Sequence, residues 1–268
     1  MKIWYQSASA YRFEPVWDEY GRTLEQQCAA VLRPDTELHV TGIPVMVRDI
    51  ENWRGLQYFQ NVETLNNMRR AEEEGYDAFV IGCTLDVGLA EGKSLMEMPV
   101  VGISETAYHM AMTLGRMFAV VTSSSAFCEV YGEQVVRYGV DRRYMPGPYI
   151  VEASEEEIAL ALGRPGPLLD KFVAAAERAV KDGASVIIPG PAFFSTLAYR
   201  AGITQVLGAP VLDTISLAVK TAEMQADLWR AGLRPSRRIG VYQCPQGRWN
   251  NPAFEKLQQV FSIGHRGT

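Results

Sequence analysis

Three stretches of this chain occur twice, in the same order. MKIWYQSASA (1–10) returns as MFAVVTSSSA (117–126), GYDAFVIGC (75–83) as GASVIIPGP (183–191), and MPVVGISETAYHMA (98–111) as APVLDTISLAVKTA (209–222). A chain with this repeat builds one unit and then builds it again. KIWYQ, AFVIG and PVVGI are apolar runs of strand length, and FAVVT, SVIIP and APVLD are their counterparts. Runs without polar alternation suit strands buried on both faces. EYGRTLEQQCAAVLRP, ETLNNMRRAEEEGYD, SAFCEVYGEQVVRYG and LLDKFVAAAERAVKDG carry helical spacing, the second ending at Gly75, a residue suited to a left-handed cap. Strand and helix in alternation predict an α/β fold with parallel sheets flanked by helices. The duplication predicts two lobes related by a pseudo-twofold axis, with a cleft between them. Residues 1–105 plus 213–268 are expected in the first lobe and 106–212 in the second. Ligands of such sheets bind beyond the carboxyl ends of the strands. Those ends carry Gln6–Ser9, Gly82–Asp86, Thr122–Ser125 and Gly190–Ser195.

Composition narrows the partners. A net charge of -5 leaves no electrostatic footprint for nucleic acid, and it means that any anion site must be built locally. No apolar run approaches the ~18 residues of a membrane span. The first ten residues lack a secretory pattern, so a cytoplasmic setting is expected. The cysteines stand at 28, 83, 128 and 244, without a CxxC pair, beside only three histidines. Free thiols and no metal site are therefore expected.

The segments GYDAFVIGCTLDVGL (75–89), PVVGISETAYHMA (99–111), FAVVTSSSAF (118–127), DGASVIIPG (182–190) and GAPVLDTISLAVKTAE (208–223) resemble the aspartate/glutamate/hydantoin racemase superfamily, and most of all its hydantoin racemase branch. The resemblance spans most of residues 1–230; the tail after about residue 235 lies outside it. It implies two α/β lobes, no cofactor, no metal, and chemistry at a carbon beside a carboxylate or carbonyl of a small acid or cyclic amide. It also implies a homo-oligomer. Racemases of this superfamily flank the substrate with two cysteines, one removing a proton and the other returning it from the opposite face. Cys83 matches the first. The second belongs at the Gly190-Pro191 step, where proline carries no ionisable group. Members that decarboxylate keep one cysteine, on the other lobe, and members that isomerise a cis double bond use the first-lobe cysteine as a nucleophile.

Cys83 is thus the expected catalytic residue. A free thiol titrates near ~8.5, and a helix N-terminus beside the strand end is expected to bring it to ~7. Gly82 is read as leaving room for substrate, the N–H groups of Cys83 and Thr84 as holding a substrate oxygen, and Asp86 as orienting a neighbour. Gln6, Ser7, Thr84, Thr122, Ser123, Gly190, Pro191 and Phe193 are expected to bind substrate, the hydroxyl-rich loops serving as an anion cradle. Phe193 and Phe194 are read as an apolar wall on the disarmed side. Cys128, in the first turn of the following helix, is the candidate replacement for the missing thiol. Arg48 or Arg54 would clamp a carboxylate. Cys28 reads as core, and His109 and Glu105 as helix positions. Isomerase chemistry is the first reading. Single-cysteine decarboxylation, hydrolysis through a cysteine nucleophile and an inactive binding protein are the alternatives.

Overall fold

The computed structural model describes residues 1–47, 50–163, 166–234 and 243–261. Two parallel sheets form its frame. The first has the order β2-β1-β3-β4, from β1 (Lys2–Ser7), β2 (Glu37–Thr41), β3 (Ala78–Gly82) and β4 (Val100–Gly102). The second has the order β6-β5-β7, from β5 (Phe118–Val121), β6 (Tyr144–Met145) and β7 (Val186–Pro189). Parallel bridges from Thr122 to Ile150 and from Ile187 to Val211 widen it on both sides. The second sheet thereby repeats the strand order of the first. The strand expected at APVLD shrinks to this bridge and to β9 (Ala209–Pro210), which turns back on β8 (Gln205–Val206) as a small hairpin.

The crossovers are α1 (Asp18–Ala29), α2 (Arg54–Glu73), α3 (Leu89–Leu95), α4 (Ile103–Leu114), α5 (Ser125–Arg137), α6 (Glu155–Ala161), α7 (Gly166–Lys181), α8 (Ala192–Arg200) and α9 (Thr214–Arg230). Gly75 (φ 76°) and Gly183 (φ 115°) hold equivalent turns before β3 and β7, where a side chain would be strained. The lobe boundary expected at 105/106 falls inside α4, and α9 lies across the first sheet, against β1, β3 and β4.

Strand alternation sorts the interior into two layers. Ile3, Tyr5, Val80, Val121 and Ile187 enter one apolar cluster, while Trp4, Phe79, Ile81, Val120 and Ile188 enter the other. Each layer runs through both lobes, so the core divides by sheet face instead of by repeat. The aromatic content is high at this level: Phe194 is fully buried with its ring 5.6 Å from that of Phe172, and truncating such a residue costs about 3–5 kcal/mol.

The tail ends in α10 (Pro252–Phe261). Trp249 stacks edge-on with Phe254 and lies under the Arg69 guanidinium, while Arg248 bonds Glu72 and the Leu95 carbonyl. These contacts seat the described tail on α2 and α3, outside the cleft.

Candidate active site

Cys83 follows directly on β3, and Pro191 follows β7 by one residue. Both line a cavity of about 240 Å³ between the two sheets. The volume suits a single small ring or a short acid. Cys83 is 9% exposed, and its thiol opens onto this space. The thiol is pushed up to about 12, first by burial and further by the charges of Asp86 and Glu51; a hydrogen bond from the Leu85 N–H opposes the shift. This overturns the expected value near neutrality. The reason is local: α3 begins only at Leu89, so a turn separates the sulfur from the helix end. The resting residue is a thiol.

Glycine precedes each strand-end residue for a steric reason. A methyl group on Gly82 would fall within the Tyr5 ring, and one on Gly190 would meet the Tyr131 hydroxyl at 2.8 Å. The room left by Gly82 is thus occupied by Tyr5, although Gly82 also lines the cavity.

Thr84 lines the cavity, but its hydroxyl meets Tyr131 Oη at 2.9 Å and its carbonyl accepts from Ser104 Oγ and Gln134 Nε2. The turn after Cys83 is therefore tied to the second lobe. Asp86 does not reach the cavity. Its carboxylate accepts from the N–H groups of Ser104 and Glu105 and from Tyr138 Oη, which caps α4. Burial nonetheless pushes that carboxyl up to about 7.

Several expected ligand contacts serve the frame instead. Gln6 donates to the Gly42 carbonyl at 2.9 Å and accepts from Asn67 Nδ2 at 2.9 Å, a fully engaged buried amide. Ser7 Oγ meets Ser9 Oγ at 2.9 Å, and Ser9, with Ala8, is what the first loop presents to the cavity. Gln6 and Ser7 border only a small void of about 10 Å³ behind Cys83. Thr122 is 1% exposed and exchanges backbone hydrogen bonds with Tyr149 and Val151; Ser123 and Ser124 line the cavity in its place. Gly190 lies behind Pro191. Phe193 lines the cavity and packs on Tyr20, whereas Phe194 points into the core. Cys128 is not among the lining residues: one helical step beyond Phe127, it turns out of the cavity, and its charge is felt at Tyr144 on β6. Arg54 pairs with Glu133 at 2.8 Å on the rim of a separate surface cleft, which His109 and Glu105 also border. Arg48 lies outside the described residues.

The second lobe supplies the polar rim. Ser124 caps α5, accepting from the Phe127 N–H at 3.4 Å, and Ser154 caps α6 through a reciprocal capping box with Glu157. The first turn of α8 opens from Pro191 without a side-chain cap. Uncapped N–H groups there favour a substrate oxygen. Of the segment between β2 and α2, sequence reading considered only Arg48 and missed Met46, Ile50, Glu51 and Asn52, which line the cavity. The segment has no periodicity to betray it; the only signal was its length between β2 and α2. Among the described residues no cluster of histidine, cysteine and carboxylate side chains could hold a metal ion, and no helix is long and apolar enough to cross a membrane.

The family model for Asp/Glu/hydantoin racemases matches residues 18–222. A hydantoin racemase from Rhizobium meliloti is 34% identical over 185 residues, covering 68% of this chain and 72% of the relative. Another hydantoin racemase, from Pseudomonas sp. (strain NS671), is 27% identical over 238 residues, 87% of this chain and 90% of the relative. Among solved structures, allantoin racemase from Klebsiella pneumoniae superimposes with a TM-score of 0.73 at 26% identity, covering 92% of this chain and 94% of that one.

Proposed function

Since this chain belongs to the Asp/Glu/hydantoin racemase family and is a racemase-type enzyme, we propose that it moves a proton at the carbon beside a carbonyl of a small cyclic amide, with Cys83 as one proton carrier. The observation that carries this reading is the position of the Cys83 thiol. It sits at a strand end, on a small cavity that also takes in the uncapped first turn of α8, suited to a carbonyl oxygen. Hydantoins and allantoin are the substrates in the relatives' names, and a five-membered ureide ring fits about 240 Å³. Removing a proton beside the carbonyl leaves an electron pair delocalised onto oxygen, where the α8 N–H groups stabilise it.

Optical rotation of a single hydantoin enantiomer tests the reading. The wild type should bring the rotation to zero, and Cys83→Ser should leave it unchanged over the same period. Retained activity in that variant would overturn it.

A second reading, decarboxylation by one thiol, draws support from the apolar side made by Pro191, Ala192 and Phe193, where a carboxylate would be poorly solvated. Release of carbon dioxide from a substituted malonate would mark it. Four unpaired cysteines support the cytoplasmic setting. The exposed apolar residues Trp53, Leu56 and Phe59 on and beside α2 support assembly into a homo-oligomer.

A further inference from the structure

We propose that the carboxylate of Glu51 is the second proton carrier, acting on the substrate face opposite Cys83 and replacing the thiol that Pro191 cannot supply. The inference rests on the Cys83 reading above and goes beyond it.

Among the described residues, three ionisable side chains line the cavity: Cys83, Glu51 and Tyr20. Tyr20 lends its ring to the wall, 5.7 Å from that of Phe193. Its hydroxyl faces Ser7 and Thr196, neither of which lines the cavity, and burial raises its pKa further out of reach. Glu51 remains. It sits on the short turn Ile50–Asn52, and its Oε1 accepts from Ser124 Oγ at 3.4 Å. Ser124 caps α5 in the second lobe, so the carboxylate reaches the cavity from an element other than the β3 end that carries Cys83. Its charge is also felt at the Cys83 thiol, which places both groups in one electrostatic environment.

The proton balance closes. The cycle begins with Glu51 as a carboxylate and Cys83 as a thiol. Glu51 takes the proton of a C–H bond on its face, and the electron pair moves into the adjacent carbonyl. The Cys83 thiol then donates its proton from the other face, forming the new C–H bond and leaving a thiolate. A proton passes from Glu51 to that thiolate through solvent and restores the starting state. The reverse reaction starts after a proton has passed through solvent from the thiol to Glu51; the thiolate then takes the C–H proton on its face and Glu51 returns one on the other. Unlike a pair of thiols, this pair joins two different acids, and burial raises the sulfur further.

The test follows hydrogen loss by proton NMR in deuterated water, with each enantiomer of a hydantoin carrying an isobutyl group at its stereocentre. The wild type should wash out both enantiomers. Glu51→Gln should lose washout of one by about 10²–10⁴-fold and keep the other within a few-fold, and Cys83→Ser should show the mirror-image loss. Glu51→Asp should recover part of the missing rate, since it restores a carboxylate on a shorter stem. Washout of both enantiomers by Glu51→Gln, or of neither by that variant, overturns the role of Glu51 and leaves Cys83 standing. Washout of a single enantiomer by the wild type also overturns it. Washout of neither enantiomer by the wild type overturns the Cys83 reading, and this inference falls with it.

Discussion

The two strand ends of the repeat share one device, a glycine set against a buried tyrosine, and part company at the residue that follows it. Each has a glycine packed against a buried tyrosine ring or hydroxyl, Gly82 on Tyr5 and Gly190 on Tyr131. Each is followed by a residue that lines the cavity, Cys83 in one and Pro191 in the other. Tyr20, in the first turn of α1, packs tilted on Phe193 at 5.7 Å, and Tyr131, midway along α5, stacks on Phe127 of the same helix at 5.6 Å. The scaffold has therefore kept its symmetry where packing requires it and given it up where proton chemistry is done. The difference teaches that the missing function need not be restored at the symmetric position. It can come from a segment belonging to neither strand end.

The largest test of that contrast removes the armed side. Cys83→Ser should lower turnover about 10²–10⁴-fold in a polarimetric assay, because an alcohol cannot replace a thiol in proton transfer. The same site predicts a pH effect. An unfolded thiol ionises near ~8.5, whereas the folded one is raised to about 12. Below the lower value both states hold the proton. Between the two values only the folded state does, so this contribution to stability is lost as pH rises from about 8.5 to about 12. Denaturant titrations across that range should show a steeper alkaline loss in the wild type than in Cys83→Ala, and equal slopes would contradict the raised value.

Adding a methyl group beneath each strand end compares the packing directly. Gly82→Ala should destabilise by about 3 kcal/mol and Gly190→Ala by about 1 kcal/mol, since the first must displace a buried ring and the second the tip of a side chain. Chemical denaturation midpoints would rank them, and the opposite order would break the steric account. Arming the second side is a smaller change. In a Glu51→Gln background, Pro191→Cys should recover about tenfold of the lost washout, as a thiol is an effective carrier when positioned. No recovery would mean that the Pro191 position does not face the reacting carbon.

The finest comparison concerns the two tyrosine hydroxyls. Tyr131→Phe and Tyr20→Phe should each cost about 1 kcal/mol of stability. Only Tyr131→Phe should also slow turnover several-fold, because its hydroxyl bonds Thr84, which lines the cavity next to Cys83.

The frame was readable in the residues because buried parallel strands write themselves as short apolar runs. AFVIG and SVIIP end as β3 and β7 at equivalent places, each preceded by a glycine with positive φ. Cys83 and Pro191 were readable as cavity residues because strand ends in such sheets have one destination. Two of the loop hydroxyls turn inward, because Ser7 still belongs to β1 and Thr122 still bridges to Ile150, whereas Ser9 and Ser123 beyond them line the cavity. Glu51 was unreadable, since its place depends on how an irregular segment crosses from β2 to α2. The thiol's acidity was misjudged for a related reason: spacing shows that a helix follows, but not the turn between Cys83 and Leu89. The segment 209–213 matched in sequence yet gave little strand, because the chain there folds into the β8-β9 hairpin before reaching α9.

The two apolar layers that pass through both sheets have a consequence for traffic. A molecule laced on both faces cannot swing its halves apart as a clam does without exposing Ile187 and Ile188 alike. The chamber has no need to part in this way, because it already opens to the surface among the loops that line it.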